Sequence, residues 1–290
     1  MFLFLQKAGI EMINQFINEL FQYNFLQRAL VTSVVIGIIC GVIGCFIVLR
    51  SLALMGDAIS HAVLPGVAIS YMMGVNFFYG AVLFGIMAAL SIGFVNQNSK
   101  IKSDSAIGIV FSAFLALGVL LVTKAQSSID LTEILFGNVL TVKEQDRTLT
   151  FIVAAIVLII VIVFYKEFLL STFDPTMAAA SGLPTKFIHY TIMVLLTLVT
   201  VASLQTVGVI LVVSLLITPA STAYLLTKRL STMILVSAFI GAISSIIGLF
   251  FSFTFNLPSG VVIVLVITAI FAITFFLAPR TGVLWRAIKH

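Results

Sequence analysis

Met55–Gly66 reads MGDAISHAVLPG, and what surrounds it decides what it means. Asp57 and His61 are four residues apart, so a helix here carries both on one face, one turn apart. In a soluble chain that pair would be ordinary. At membrane depth it is expensive, and ionisable groups placed there face a pathway or a partner rather than lipid. The surroundings are lipid-like: of 290 residues, 61% are hydrophobic and only 9% charged, with a mean hydropathy of +1.27. A soluble domain is about a quarter charged and under half apolar. The chain is therefore expected to be an all-α polytopic membrane protein.

Apolar runs of spanning length lie at 29–49, 51–74, 77–95, 105–123, 148–166, 187–204, 207–226, 231–252 and 260–278. The turn after Gln205 is tight enough for a neighbouring segment to be re-entrant, so the expectation is eight to nine transmembrane helices. Residues 1–28 form an N-terminal interfacial segment, 29–279 the transmembrane domain and 280–290 a cytoplasmic tail. No positively charged start or small-residue cleavage site marks a signal peptide. Ile13, Phe16, Ile17 and Leu20 recur at helical spacing opposite Glu11, Asn14, Gln15, Asn18 and Glu19, which predicts an amphipathic helix on the membrane surface.

Charge and cysteine content narrow the function. The net charge of +5 comes from Lys and Arg at span ends, which orient the protein rather than bind nucleic acid. Ten of the 15 lie on the side that holds Arg50, placing the C-terminus in the cytoplasm. The two cysteines, Cys40 and Cys45, fall inside the first span and read as small apolar residues. Gly37, Gly41 and Gly44 form one close-approach stripe, and Gly241, Ser245 and Gly248 another. Asp130, Glu133, Glu144 and Asp146 form a solvated outer surface that could meet an external partner.

Counting from Ser51 at about 1.5 Å per residue, Asp57 lies roughly 10 Å and His61 roughly 15 Å into a hydrocarbon core about 30 Å thick. The midplane is where transporters keep their substrate sites. Pro65 lacks an N–H, so it is expected to free the His61 carbonyl four residues back. Carboxylate, imidazole and carbonyl together suit Mn²⁺, Fe²⁺ or Zn²⁺. The plainer alternative is that Asp57 and His61 pair with each other or glue helices together. Pro65 with Gly66, and Pro219 in Leu215–Thr222 (LLITPAST), are the two proline-interrupted places that could shape a path. Pro219 is expected to free the Leu215 carbonyl, with Thr218, Ser221 and Thr222 able to re-satisfy the backbone.

Phe173–Pro184, FDPTMAAASGLP, predicts a short, separately capped helix. Asp174 is a good N-cap, Pro175 fits the first helical position, and Gly182 ends the helix before Pro184. About two turns cannot persist alone, so a groove on a cytoplasmic partner is expected to hold it; the alternative is a plain interfacial linker. No G-x-x-x-x-G-K-[ST] loop occurs. ATP hydrolysis, if used, belongs to another polypeptide.

With LMGDAISHAVLPGVAIS, IKSDSAIGIVFSAFLALG, ILFGN, FDPTMAAASGLP and VGVILVVSLLITPASTAYL in that order, the chain resembles the permeases of the metal-uptake ABC family (ABC-3 type; manganese, zinc or iron). It is most similar to the bacterial manganese permeases. The resemblance runs from about Ala29 to Pro279. It implies a homodimeric pore in the bacterial plasma membrane, two cytoplasmic ATP-binding subunits and an extracytoplasmic metal-binding lipoprotein. It also implies metal ligands at Asp57 and His61, and coupling to the ATPase through Asp174, Pro175, Ala179 and Gly182. Pro65 and Gly66 tilt the resemblance toward manganese. The expected function is a transporter permease rather than an enzyme, importing Mn²⁺ by alternating access, with no permanently bound cofactor. The alternatives are a Zn²⁺ or Fe²⁺ importer of the same kind, a proton-coupled secondary carrier and, weakest, a membrane anchor that transports nothing.

Overall fold

The computed structural model describes residues 14, 16, 18–124 and 142–278. Every regular element among them is helical. After a helical stretch over residues 18–22 come α1 (Asn24–Leu49), α2 (Leu54–Ala62), α3 (Leu64–Met73), α4 (Phe77–Asn98), α5 (Ser103–Lys124) and α6 (Glu144–Val163). They are followed by α7 (Tyr165–Phe173), α8 (Pro175–Ala180), α9 (Thr185–Val207), α10 (Val209–Leu226), α11 (Leu230–Phe255) and α12 (Ser259–Leu277). Eight of these, α1, α4, α5, α6 and α9 to α12, are long and apolar enough to cross a membrane. The expected outer-segment residues Asp130 and Glu133, the ILFGN motif and the 280–290 tail lie outside the described residues.

The predicted span at 51–74 is two half-helices, α2 and α3, broken at Val63. Nine and ten residues at about 1.5 Å each reach roughly 14–15 Å, half a bilayer core apiece. Pro65 sits in the first turn of α3, where a missing N–H costs nothing because that donor has no intrahelical partner. The backbone N–H groups that cap α2 bond to the carbonyls of Ile59 and His61. The His61 carbonyl is therefore taken, contrary to the sequence expectation. Gly118 of α5 lets that helix press on the break, since a Cβ there would stand 2.7 Å from Leu64 Cβ.

α1 is the hub. Of its most apolar window, 72% is buried inside the protein, against 22% for α5 and α12. The two small-residue stripes face each other: a Cβ on Gly37 would lie 2.6 Å from the Gly241 carbonyl oxygen, and one on Gly41 2.9 Å from that of Ser237. Ser237 Oγ donates to Gly41 O at 2.8 Å and Ser245 Oγ to Ser33 O at 3.0 Å, so hydroxyls stitch the closely approaching backbones. Gly44 meets α10 instead, backbone against Leu216, and Gly248 meets Ile263 of α12. In lipid, where burial of apolar surface gives helices little reason to associate, such packing and hydrogen bonding supply the attraction.

The tight turn after Gln205 is a single residue. Gly208, at φ 82 and ψ 165, joins α9 to α10; only glycine occupies that region without strain. α10 then packs chiefly on α1 and α12. It runs through Pro219 unbroken, with Thr222 Oγ1 donating to the Thr218 carbonyl at 2.7 Å. Pro219 itself is buried. On the expected amphipathic face, Phe16 is buried against protein, its ring centroid 5.3 Å from Phe250 and 5.9 Å from Phe253.

Candidate metal site

Asp57 lies in the first turn of α2 and His61 in its last. A helix is partially positive at its N-terminus, so the Asp57 carboxylate stands at the end that favours its charge. His61 Nε2 is 3.6 Å from Asp57 Oδ1, just beyond hydrogen-bond range. A first-row divalent ion about 2.1 Å from each atom would fit between them with a ligand–metal–ligand angle of roughly 110–120°. A cation between the two atoms would be bound by both.

The site is open on one side. The His61 side chain is 24% exposed and that of Asp57 50%. Phe111 of α5 closes the other side, its ring edge-to-face with the imidazole at 5.8 Å. Ser60 turns away, donating to Gly56 O at 2.9 Å. No third His, Cys, Asp or Glu joins the pair among the described residues. Pro65 and Gly66 lie at the start of α3 just past the pair, Gly66 backbone-to-backbone with Gly80 of α4. They shape the break and present no side-chain donor.

The capped helix predicted at 174–181 is α8. Asp174 Oδ1 accepts the Met177 N–H at 2.9 Å and the Thr176 hydroxyl at 2.6 Å, and Pro175 opens the helix. Gly182, at φ 80, ends it: its N–H bonds to Ala179 O, and the Leu183 N–H bonds to Ala178 O. That is the paired bonding of a glycine-terminated helix. Ala178 is fully buried while Ala179 is exposed, so one face is held by the fold and the other is free.

One constellation has no sequence signature. Arg50, read above only as an orienting charge, is half-buried at the end of α1. Its guanidinium donates to Thr172 Oγ1 (3.1 Å), Ser171 Oγ (3.1 Å) and His189 Nδ1 (3.3 Å). Arginine can only donate, so Nδ1 is the accepting nitrogen and the proton of neutral His189 sits on Nε2. Burial draws the Arg50 pKa down to about 10, which leaves it charged at neutral pH. His189, in the second turn of α9, is thus part of this contact.

The pattern of the ABC 3 transport family matches residues 22–278. The chain belongs to that family. As an ABC 3 permease it is a multi-pass membrane protein and a transporter rather than an enzyme. Its ATPase is a separate subunit, and a substrate-binding protein completes the system. It is 64% identical over 270 residues to the "Manganese transport system membrane protein MntC" of Listeria monocytogenes, covering 93% of this chain and 96% of that one. To the "Manganese import system permease protein ScaB" of Streptococcus gordonii it is 52% identical over 278 residues, covering 96% and 100%. Among solved structures, "PsaBC from Streptococcus pneumoniae in complex with Fab" matches with a TM-score of 0.85 at 50% identity, covering 96% of this chain and all of that one.

Proposed function

We propose that this ABC 3 permease imports Mn²⁺ across a bacterial plasma membrane, and that Asp57 and His61 hold the ion in transit. The observation that carries the reading is the 3.6 Å pair on a half-helix, with His61 two residues before the chain breaks at Val63. Its relatives named for manganese transport supply the choice of ion. Oxygen and imidazole donors also suit Zn²⁺ and Fe²⁺, so the ion is the point to test. Family membership weighs against a proton-coupled carrier, which would need no ATPase.

Two donors underfill a divalent ion, and the Asp57 carboxylate is half exposed. A second copy of the chain across a two-fold axis completes the site with the same pair, giving a homodimeric pore. An extracytoplasmic lipoprotein delivers the ion on one side. On the other, with the C-terminus in the cytoplasm, α8 docks in the ATPase. Exposed Phe173, Met177 and Phe187 around Ala179 supply an apolar docking surface. Proline and glycine at 65 and 66 and proline at 219 shape the path without binding the ion. Binding must select the ion yet release it inward, so a site of few protein ligands suits a pump.

The test is uptake of radiolabelled manganese by the purified complex with its ATPase and binding protein in vesicles, with Zn²⁺ and Fe²⁺ as competitors, for wild type and His61→Ala. Manganese uptake that resists equimolar zinc and disappears in His61→Ala supports the reading. Uptake of zinc or iron in preference would replace the ion; wild-type uptake by His61→Ala would remove the site.

A further inference from the structure

We infer that Arg50 is a positioning residue for transport: a strut that passes displacement of α8 to the half-helix bearing Asp57 and His61. The inference rests on the coupling role proposed for α8 and adds the route inward.

The route is short and made of stiff pieces. α8 begins at Asp174, which also ends α7, so one residue joins the two helices. Ser171 and Thr172, in the last turn of α7, are the residues whose hydroxyls accept from Arg50. His189, in the second turn of α9, accepts the third hydrogen bond. The guanidinium therefore grips both helices that flank α8, through a planar fork that fixes direction as well as distance.

On its other side Arg50 is the C-cap of α1 and opens the corner into α2. That corner has little slack. The Ser51 N–H bonds to Val48 O at 3.2 Å and the Leu52 N–H to Ile47 O at 2.9 Å, with Ser51 held left-handed at φ 57. This is the bonding that usually ends on glycine, here kept with a serine in a conformation that costs energy. Leu52 is buried, and the Met55 N–H bonds back to Leu52 O at 2.9 Å. Asp57 follows within the first turn of α2. A shift of α7 relative to α1 thus moves the start of α2 with few soft torsions between.

The partners of the fork are also of a kind suited to a moving contact. Among the described residues no carboxylate lies within ion-pair distance of Arg50. Two hydroxyls and a neutral imidazole hold it by hydrogen bonds that can break and re-form, whereas separating a buried ion pair would strand two charges.

The experiment uses the assembled transporter in vesicles and reads metal moved per ATP hydrolysed for Arg50→Ala, Arg50→Lys and the double variant Ser171→Ala/Thr172→Val. The expected result is a fall of about tenfold in that ratio for Arg50→Ala, the size of a typical coupling effect, with hydrolysis retained, and partial recovery in Arg50→Lys. If Arg50→Ala fails to assemble, the double variant decides, since it keeps the guanidinium and removes two acceptors; a lowered ratio supports the strut. An unchanged ratio in the assembled variants, or uptake and hydrolysis falling in proportion, overturns it. Ala179→Glu is run alongside. If it stays coupled, docking at α8 is wrong. If it uncouples while the Arg50 and double variants do not, only the strut fails.

Discussion

His61 Nε2 and Asp57 Oδ1 face each other at 3.6 Å across one turn of the nine-residue helix α2. Removing either should abolish manganese uptake with the complex still assembled. Loss of an outer-shell partner alone costs 10–100-fold in many metal sites, so His61→Ala should cost at least about a hundredfold. Asp57→Asn keeps the shape and one oxygen but loses the charge, and should be nearly as severe. Uptake of labelled manganese measures both; retention above a tenth of wild type in either variant would move the site elsewhere.

Ala179 is exposed on α8 while its neighbour Ala178 is fully buried. Ala179→Glu should leave the permease folded, because the side chain is exposed, yet place a charge in the proposed docking surface. ATP hydrolysis should continue without matching transport, or the ATPase should bind more weakly. Normal stoichiometry and normal co-purification of the ATPase together would show that α8 is not the docking element.

Gly37 and Gly108 make a matched pair of substitutions. A Cβ at Gly37 would stand 2.6 Å from the backbone of Gly241, whereas at Gly108 nothing lies within 4 Å. Gly37→Ala should force α1 and α11 apart at a cost of about 1–3 kcal/mol, typical of overpacking, seen as a lower unfolding temperature in detergent. Gly108→Ala should be neutral or slightly stabilising. Equal unfolding temperatures for the two variants would contradict the α1–α11 contact.

The Asp174 cap has a defined pH dependence. The Thr176 hydroxyl, then the Met177 N–H, hold its carboxyl below the usual carboxylate range. A group whose folded pKa is lowered gives its stabilisation in full above the unfolded value, about 3.9. That stabilisation is lost as the pH falls through the folded value. Amide-exchange protection of α8, corrected for intrinsic rates, should therefore be flat from about pH 5 to 8 and decline only in stronger acid. Asp174→Asn, a comparable cap without a proton to gain, should show no acid limb. A decline for wild type near neutrality would mean that another group governs the helix.

What could be read from sequence follows the range of the forces involved. The capped helix α8 was legible to the residue, because Asp174, Pro175 and Gly182 act on backbone groups no more than three positions away. The spans were legible because a bilayer imposes a length on any apolar run. The second span reads as one apolar run with a single carbonyl freed by Pro65, whereas the chain breaks at Val63, since proline is tolerated within a first helical turn and so marks where a helix begins as well as where one ends.

The sequence by itself determined that the chain is a multi-pass helical membrane protein, that Asp57 and His61 share one helix face, and where its short capped helix lies. All three depend on composition or on neighbours in the chain. Only the tertiary structure decided that Gly37 meets Gly241, that Phe111 closes one side of His61, and that Arg50 joins α1 to α7 and α9. Those contacts bridge 50 to more than 200 positions along the chain. Their partners are chosen by how whole helices pack, and packing leaves no periodicity in the sequence of either partner alone.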